Sequence, residues 1–391
     1  MNVLFLNVAF PDLEEGAGLY GDMAIELAAR GHSMHVATLL ERKHGRATTL
    51  AVQRGVQVLR VASGDLFNVG FVRKGLTLLA LEGDFRRAIR RTWPSVHFDL
   101  VIYPTPPITF VGLVEELKRE HGCATYLILR DIFPQNAVDV GIMRKRIAYR
   151  YFRRVEQRLY AVSDRIGCMS PANVEWVRRD GVPAEKLELL PNWRKVRDPI
   201  PAGRDLRREW RLEGKFLAVF GGVLGIAQEL EFLLDLARDC RDRKDVAFVV
   251  VGEGNQKAKL REIAAHDGLD NVQFRERVSS GDFGRLLRLA DVGLVNLSRH
   301  FTIPNCPSKV LDYFEAELPV LASLDRATDF GAMLDDAGAG LWSITGDLPA
   351  YRKNLDRLVA DAALRREMGR RGRAYLGQHF TVERAADIIL R

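Results

Sequence analysis

The sequence predicts two doubly wound α/β domains in tandem, and three observations carry that prediction. The chain has 391 residues, too many for one ordinary core. Short apolar runs alternate with amphipathic stretches twice over, the pattern of parallel strands covered by helices. Between the two series lies PNWRKVRDPIPAGR, residues 191–204, with three prolines, clustered basic residues and no apolar period. It reads as an interdomain linker. The boundaries follow: 1–193, then 204–375, with residues 376–391 as a spare terminal helix packing back on the first domain.

In the first series VLFLNVAF is the opening strand, followed by a helix at about 18–30 and the strand SMHVATLL. The strands GVQVLRVA, LVIYPT, TYLILR, RIGCMS and KLELLPN come next, with helices at GLVEELKREHG, about 143–162 and ANVEWVRRDG. The second series opens on KFLAVFGG. It continues through helix QELEFLLDLARDC, strand VAFVVVGEG, helix AKLREIAAHDG, strand NVQFRE, helix FGRLLRLA, strand VGLVNL, helix SKVLDYFEA and strand PVLAS. Ligands of such sheets bind beyond the carboxyl ends of the strands, so a central cleft lined by both domains is expected.

Composition narrows the function classes. Hydrophobic residues make up 47% and charged residues 28% of the chain, as in globular proteins. No apolar run reaches the roughly 18–20 residues of a membrane span. Acidic residues directly after MNVLFLNVAF mark that start as a buried strand, not a signal peptide. The four cysteines are widely spaced, as suits reduced thiols in a cytoplasm, and no metal-ligand spacing appears. A formal charge of +7 predicts attraction to something anionic.

Two features of the second domain point to an anion. Gly221, Gly222 and Gly225 stand at a strand-to-helix turn, where backbone N–H groups approach a phosphate closely. Pro307, Ser308 and Lys309 open a helix whose first-turn N–H groups, hydroxyl and ammonium form a compact diphosphate site. Asp312, one turn in, is placed for ribose hydroxyls. Each feature alone is also an ordinary turn or helix start; their convergence on one sheet edge is what argues for a site.

At these residues the chain resembles a known family. GGVLGIAQELEFLLDLA, VVVGEG, NVQFRERV, LLRLADVGLV and PSKVLDYFEAELPVLAS resemble the second domain of family 4 glycosyltransferases, retaining enzymes of the GT-B architecture. RDIFPQNAVDVGIM and LLPNW resemble a subgroup that includes transferases for acetamido-deoxy sugars in bacterial surface polysaccharides. The resemblance implies a UDP-sugar donor, no metal or other cofactor, and contact of the nucleotide base with the backbone around Arg277 and Val278. It departs from the family at one place: of two glutamates usual eight residues apart, the second falls on Asp312 and the first on Pro304. Asn305, Cys306 or the backbone of 303–306 then replaces the carboxylate that holds the donor sugar. The usual Arg and Lys after the first strand are also absent; Ala227, Gln228 and Glu229 follow the glycine turn. Phosphate neutralisation falls to Lys309 and helix N-termini, with Lys257 either a contributor or a solvated helix-start lysine. His300 is a candidate near the sugar or an exposed loop residue.

On the first domain Gly16, Gly18 and Gly21 spell the dinucleotide fingerprint, with Glu41 some twenty residues on. Pro11–Glu15 intervene between strand and glycines, against the rule that the glycines follow at once. A nicotinamide-dependent oxidoreductase is therefore the rival, and the resemblance makes Gly16 and Gly18 part of a loop closing on the donor diphosphate and acceptor. Arg130 and Asp131 stand where many relatives have a histidine. Asp131 is a candidate to position or deprotonate the acceptor hydroxyl, its alternative being an ion pair or turn cap.

The segment 143–160 carries Arg144, Lys145, Arg146, Arg150, Arg153, Arg154 and Arg158 against Glu156, with Ile147, Tyr151, Val155 and Leu159 at helical spacing. Residues 66–91 repeat the mixture. Such helices lie on anionic leaflets, although an apolar stripe is also how any helix meets a core. Basic and aromatic residues do not interleave as nucleic-acid binding requires. The expectation is a cytoplasmic enzyme, peripheral on the inner membrane face, with a lipid-linked or lipopolysaccharide acceptor. A non-catalytic nucleotide-sugar sensor and a sugar-nucleotide epimerase are the other readings.

Overall fold

The computed structural model describes residues 1–67, 69–144, 146–197 and 203–391. Lys145 of the basic segment and residues 198–202 of the expected linker lie outside them. The chain forms two compact units, Met1–Lys195 with Val382–Arg391, and Val196–Thr381.

The first unit carries β1 (Asn2–Asn7), β2 (Ser33–Glu41), β3 (Thr49–Gln53), β4 (Val56–Ser63), β5 (Leu100–Pro104), β6 (Ala124–Leu129), β7 (Arg165–Cys168) and β8 (Leu187–Leu189). They form one sheet in the order β3-β4-β2-β1-β5-β6-β7-β8. The second carries β9 (Phe216–Gly221), β10 (Val246–Val251), β11 (Val272–Arg275), β12 (Val292–Asn296), β13 (Val320–Leu324) and β14 (Gly340–Ile344), in the order β11-β10-β9-β12-β13-β14. The central strands are buried along almost their whole length, because helices cover both faces and every side chain must be apolar or paired.

Strand order fixes where a ligand can bind. In the first sheet the chain winds outward from β1 through β2 and later returns to β5 on its other side; in the second it leaves β9 through β10 and returns to β12. The loops after β1 and β5, and after β9 and β12, therefore diverge and open a crevice at each carboxyl edge.

Four elements differ from the sequence reading. β3 is antiparallel to β4 and joined to it through Arg54 and Gly55, both at positive φ (49° and 81°). A two-residue turn of this kind is signalled by Asn-Gly or Asp-Gly far more than by Arg-Gly. Residues Phe71–Thr92 form one long helix. The second sheet gains β14, with helices Phe330–Ala337 and Leu348–Ala360 around it. The terminal helix expected from Leu376 is two helices, Ala362–His379 and Val382–Ile389. Leu376 and Phe380 join the core of the second unit, whereas Val382 and Ala386 join that of the first. Helical periodicity marks a residue as core-facing without saying which core. The last helix packs on Gly18–Ala29 in the first unit, where Arg30 pairs with Asp387 at 2.6 Å.

Candidate functional site

In the second unit the loops after β9 and β12 and the helix Lys309–Glu315 meet at the sheet's carboxyl edge. Tyr313, fully buried, is the joint: its hydroxyl donates to Leu294 O on β12 at 3.0 Å and accepts from Gly221 N on β9 at 3.4 Å. Its ring lies over Gly293, where a Cβ would come within 2.5 Å of it. The two loops are also tied directly. Ser298 N donates to Ala227 O at 2.9 Å, and Arg299 binds Glu229 through its backbone N–H (2.8 Å) and Nε (2.5 Å).

Lys309 is the centre of this arrangement. Its Nζ is shut off from water with no hydrogen-bond partner among the described residues, and it lies 3.5 Å from the centroid of the Phe220 ring. Burial pulls its pKa down to about 7, opposed only by the charge of Asp312 one turn along. An ammonium taken from water without an acceptor is costly, and the face of an aromatic ring replaces only part of its hydration. Gly222 adjoins it at φ +136°, and a side chain there would sit 3.5 Å from Lys309 Nζ.

The glycine turn contributes space more than donors. Gly222 N already bonds Val251 O (3.1 Å), Leu224 N bonds Glu253 O (2.8 Å), and Gly225 N bonds the Gln228 carboxamide (3.2 Å). A 3-10 turn, Ile226–Gln228, and Glu229 at φ 41° separate the glycines from the helix, which begins at Leu230 and not at Gln228. Two glycines outside the expected site make the packing feasible. A Cβ on Gly252 would lie 1.9 Å from Gly222 O, and one on Gly254 would lie 2.2 Å from Leu224 O. Both belong to VVVGEG, whose glycines the sequence offers without saying which loop they approach.

The remaining expected donor residues divide. Pro307 and Ser308 lead into the helix, Ser308 exposed and already helical, and Asp312 is half-buried one turn in. Lys257 is buried and doubly paired, to Glu253 at 2.6 Å and Glu276 at 2.7 Å. Burial works against its charge, but these two carboxylates hold its pKa above the ordinary lysine value. Arg277 is exposed and Val278 packs on the core beyond β11. His300 is exposed. Asn305 O accepts from the Thr328 hydroxyl at 2.6 Å, which brings the loop after β13 against residues 303–306.

In the first unit the corresponding edge gathers the loop after β1, Thr105 after β5, and Arg130 and Asp131 after β6. The Thr105 hydroxyl donates to Asp131 O and accepts from Arg130 N, both at 3.0 Å, and so fixes the direction in which the two side chains leave β6. Burial raises the Asp131 pKa, against the opposing charge of Arg130. Tyr20 senses both groups: burial raises its pKa first, and Arg130 and Asp131 then act in opposite directions. Gly18 (φ 57°) begins the helix that carries Tyr20, and Gly16 precedes it in the loop. That loop is pinned by Arg60, which donates to Phe10 O and Pro11 O, and by Gln53, which grips Asp12 and Leu13 N.

Glu41 is not a free ribose acid. Its carboxylate accepts from Leu66 N (2.9 Å) and Phe67 N (2.8 Å) and pairs with Lys43. Gly21 packs tightly on Leu13 inside the helix. Both residues serve the local fold, which removes the support for the oxidoreductase reading.

Comparison with known proteins identifies the family of both units. The glycosyl transferase 4-like domain model matches residues 16–193, and the glycosyl transferases group 1 model matches residues 204–375. WbjE of Pseudomonas aeruginosa, described as a probable glycosyltransferase, is 25% identical over 281 residues, 70% of this chain and 69% of that one. WcaI of Escherichia coli K12, whose name assigns it to colanic acid biosynthesis, is 24% identical over 362 residues, 86% of each chain. Among solved structures, a sucrose-phosphate synthase from Thermosynechococcus elongatus superposes with a TM-score of 0.79 at 16% identity, covering 100% of this chain and 97% of that one. HepE of Anabaena, solved with UDP-glucose, gives a TM-score of 0.73 at 15% identity, covering 100% and 98%. At such identities the structural likeness is one of fold, here GT-B. With family models on both units and named glycosyltransferases along most of its length, the chain belongs to the family 4, GT-B glycosyltransferases and is a glycosyltransferase.

Proposed function

We propose that this enzyme transfers a sugar, with retention, from a UDP-sugar held at the carboxyl edge of the second sheet. The acceptor is a membrane-associated saccharide or lipid-linked precursor of a surface polysaccharide or lipopolysaccharide. The observation that carries the donor half is Lys309: a buried ammonium with no partner, beside a turn that has no side chain to fill the space. A departing diphosphate supplies the acceptor oxygens that Lys309 lacks, and stabilising that leaving group is the main catalytic term. Asp131, with its carboxyl pushed up by burial, then positions the acceptor hydroxyl. The resemblance of RDIFPQNAVDVGIM to acetamido-deoxy-sugar transferases favours an N-acetylated donor, and the named pathway of WcaI supports a polysaccharide product.

The membrane half rests on where two helices leave the core. In Ile147–Val162 the C-terminal half buries Val155 and Leu159, while Ile147 is 85% and Tyr151 49% exposed. Among the described residues Arg144, Arg146, Arg150 and Arg154 form no ion pair, whereas Arg153 pairs with Glu156 and Asp180, and Arg158 with Glu115. In Phe71–Thr92, Leu76 and Leu79 are exposed beside Lys74. Both helices pack on the turn Ile108–Phe110. Among the described residues no helix is long and apolar enough to cross a membrane, so adsorption through these ends is the mode proposed.

A thermal-shift series with UDP, UDP-glucose, UDP-N-acetylglucosamine and reduced nicotinamide dinucleotide tests the donor. Stabilisation by the uridine compounds alone is expected; a response only to the dinucleotide overturns the reading. Salt-sensitive flotation with phosphatidylglycerol vesicles tests the membrane half, and its absence removes that half.

A further inference from the structure

Arg130 is a second cation without an acceptor among the described residues, at the carboxyl edge of the first sheet. Its Nη1 is shut off from water and makes no hydrogen bond, and no carboxylate among the described residues lies within ion-pair distance of it. The side chain of Asn7, at the end of β1, is buried too. Its Oδ1 accepts from Ala9 N at 2.7 Å, which leaves Nδ2 as a second donor without a partner. Asn7 ends β1 and Arg130 directly follows β6, at the same edge of the sheet. Val3 and Phe5 on β1, and Tyr126 and Ile128 on β6, share a core, and Asn7 and Arg130 are the next residues of the same parity. Tyr20 packs against that core, its ring 5.7 Å from Phe5 and its hydroxyl within electrostatic reach of Arg130.

Two donors and no acceptor, one of them a guanidinium, select for an anion. An unmade hydrogen bond at a buried donor is more costly than the net worth of a made one, and a guanidinium fork matches phosphate or carboxylate oxygens. The geometry points to an anion subsite formed by Arg130 and Asn7, through which the first unit recognises an acceptor that bears a phosphate or carboxylate. This rests on the glycosyl-transfer reading and adds the acceptor's chemical class. Asp131 beside Arg130 does not cancel the subsite, because among the described residues no ion pair joins the two side chains and the Arg130 Nη1 stays without a partner.

The full chain, with and without saturating UDP, is titrated with four probes. These are methyl glucoside (neutral), glucuronic acid (carboxylate), glucose 1-phosphate (sugar phosphate) and geranyl pyrophosphoryl N-acetylglucosamine in detergent (lipid diphosphate). At least one anionic probe is expected to bind roughly 10-fold or more tighter than the neutral one, and its identity separates the sources. Arg130→Gln is expected to erase that preference and leave UDP affinity within about twofold, while Arg130→Lys keeps part of it. Equal binding of all four probes overturns the subsite. So does an Arg130→Gln variant that melts like the parent and loses UDP affinity as much as probe affinity, because Arg130 would then serve the donor. The arm without UDP keeps the test decisive even where the donor reading fails.

Discussion

The two sheet edges treat their charges differently from the rest of the molecule, and differently from each other. Away from the edges several half-buried cations are answered by carboxylates: Arg207 meets Asp291 at 2.9 Å, and Arg238 meets Asp235 at 2.5 Å. At the edges Lys309 in the second unit and Arg130 in the first each hold a buried nitrogen without a partner among the described residues. In the second, Lys309 is a point charge over an aromatic ring with its acid a full turn away. In the first, Arg130 is a planar fork with a carboxyl next to it in sequence. A compact ammonium that gives up its proton near neutrality suits a ligand that arrives and leaves with its own charge. A permanently charged fork beside an acid suits a group to be oriented and then deprotonated.

Removing Lys309 should break the comparison most severely. Lys309→Met is expected to lower kcat/KM by roughly 1,000-fold, the upper range for loss of one charge-stabilising donor. It should also leave the melting temperature unchanged or higher, because an apolar side chain replaces a buried unpaired charge. Loss of activity together with loss of fold would make Lys309 structural instead.

Asp131→Asn comes next, with an expected fall in kcat of roughly 100-fold and a UDP dissociation constant within about twofold of the parent, measured by titration calorimetry. A parallel loss of UDP binding would move Asp131 from the acceptor to the donor. Retained turnover would take it out of the chemistry.

The pH dependence sharpens the role of Lys309. Its unliganded pKa is about 7, and a bound diphosphate holds the proton on. Binding above that pH must therefore take up a proton, and UDP affinity should fall roughly tenfold per pH unit from about 7.5 upward. Below 7 the profile should flatten, and Lys309→Arg should be flat throughout. The free protein has the opposite sign. The unfolded chain keeps this proton to about 10.4, so the destabilisation from a buried charge is fully present below about 7 and is relieved as pH rises from there to about 10.4.

Much of this was legible in the sequence, for reasons that also set the limit. Twelve of the fourteen strands among the described residues, all but β3 and β14, follow from apolar runs alternating with helices, a period that survives without tertiary information, and the glycine turn and Pro-Ser-Lys helix start were visible as local chemistry. The emptiness around Lys309 was not, since it depends on Phe220 and Gly222 arriving from another strand. Nor was Asn7, an ordinary polar residue ending an apolar strand until its amide is found without a partner. The last helix misled because Phe380 and Val382 continue one apolar pattern into two different cores. Local pattern reports burial; it does not report against what.

Lys257 supplies the smallest expected effect and the control for the whole contrast. It lies in the same unit as Lys309 and is also buried, yet Glu253 and Glu276 already satisfy it. Both carboxylates are largely exposed, 54% and 69%, so solvent screens the pairs and each adds little to stability. To reach a phosphate, Lys257 would have to leave two acceptors for one, with little net gain. Lys257→Met should therefore change UDP affinity by less than about threefold, within the range of a screened surface charge, and leave the pH profile of binding unaltered. A tenfold loss would mean that the two glutamates release Lys257 when the diphosphate arrives. An unpaired ammonium would then no longer be what distinguishes a ligand-binding lysine from a structural one in this fold.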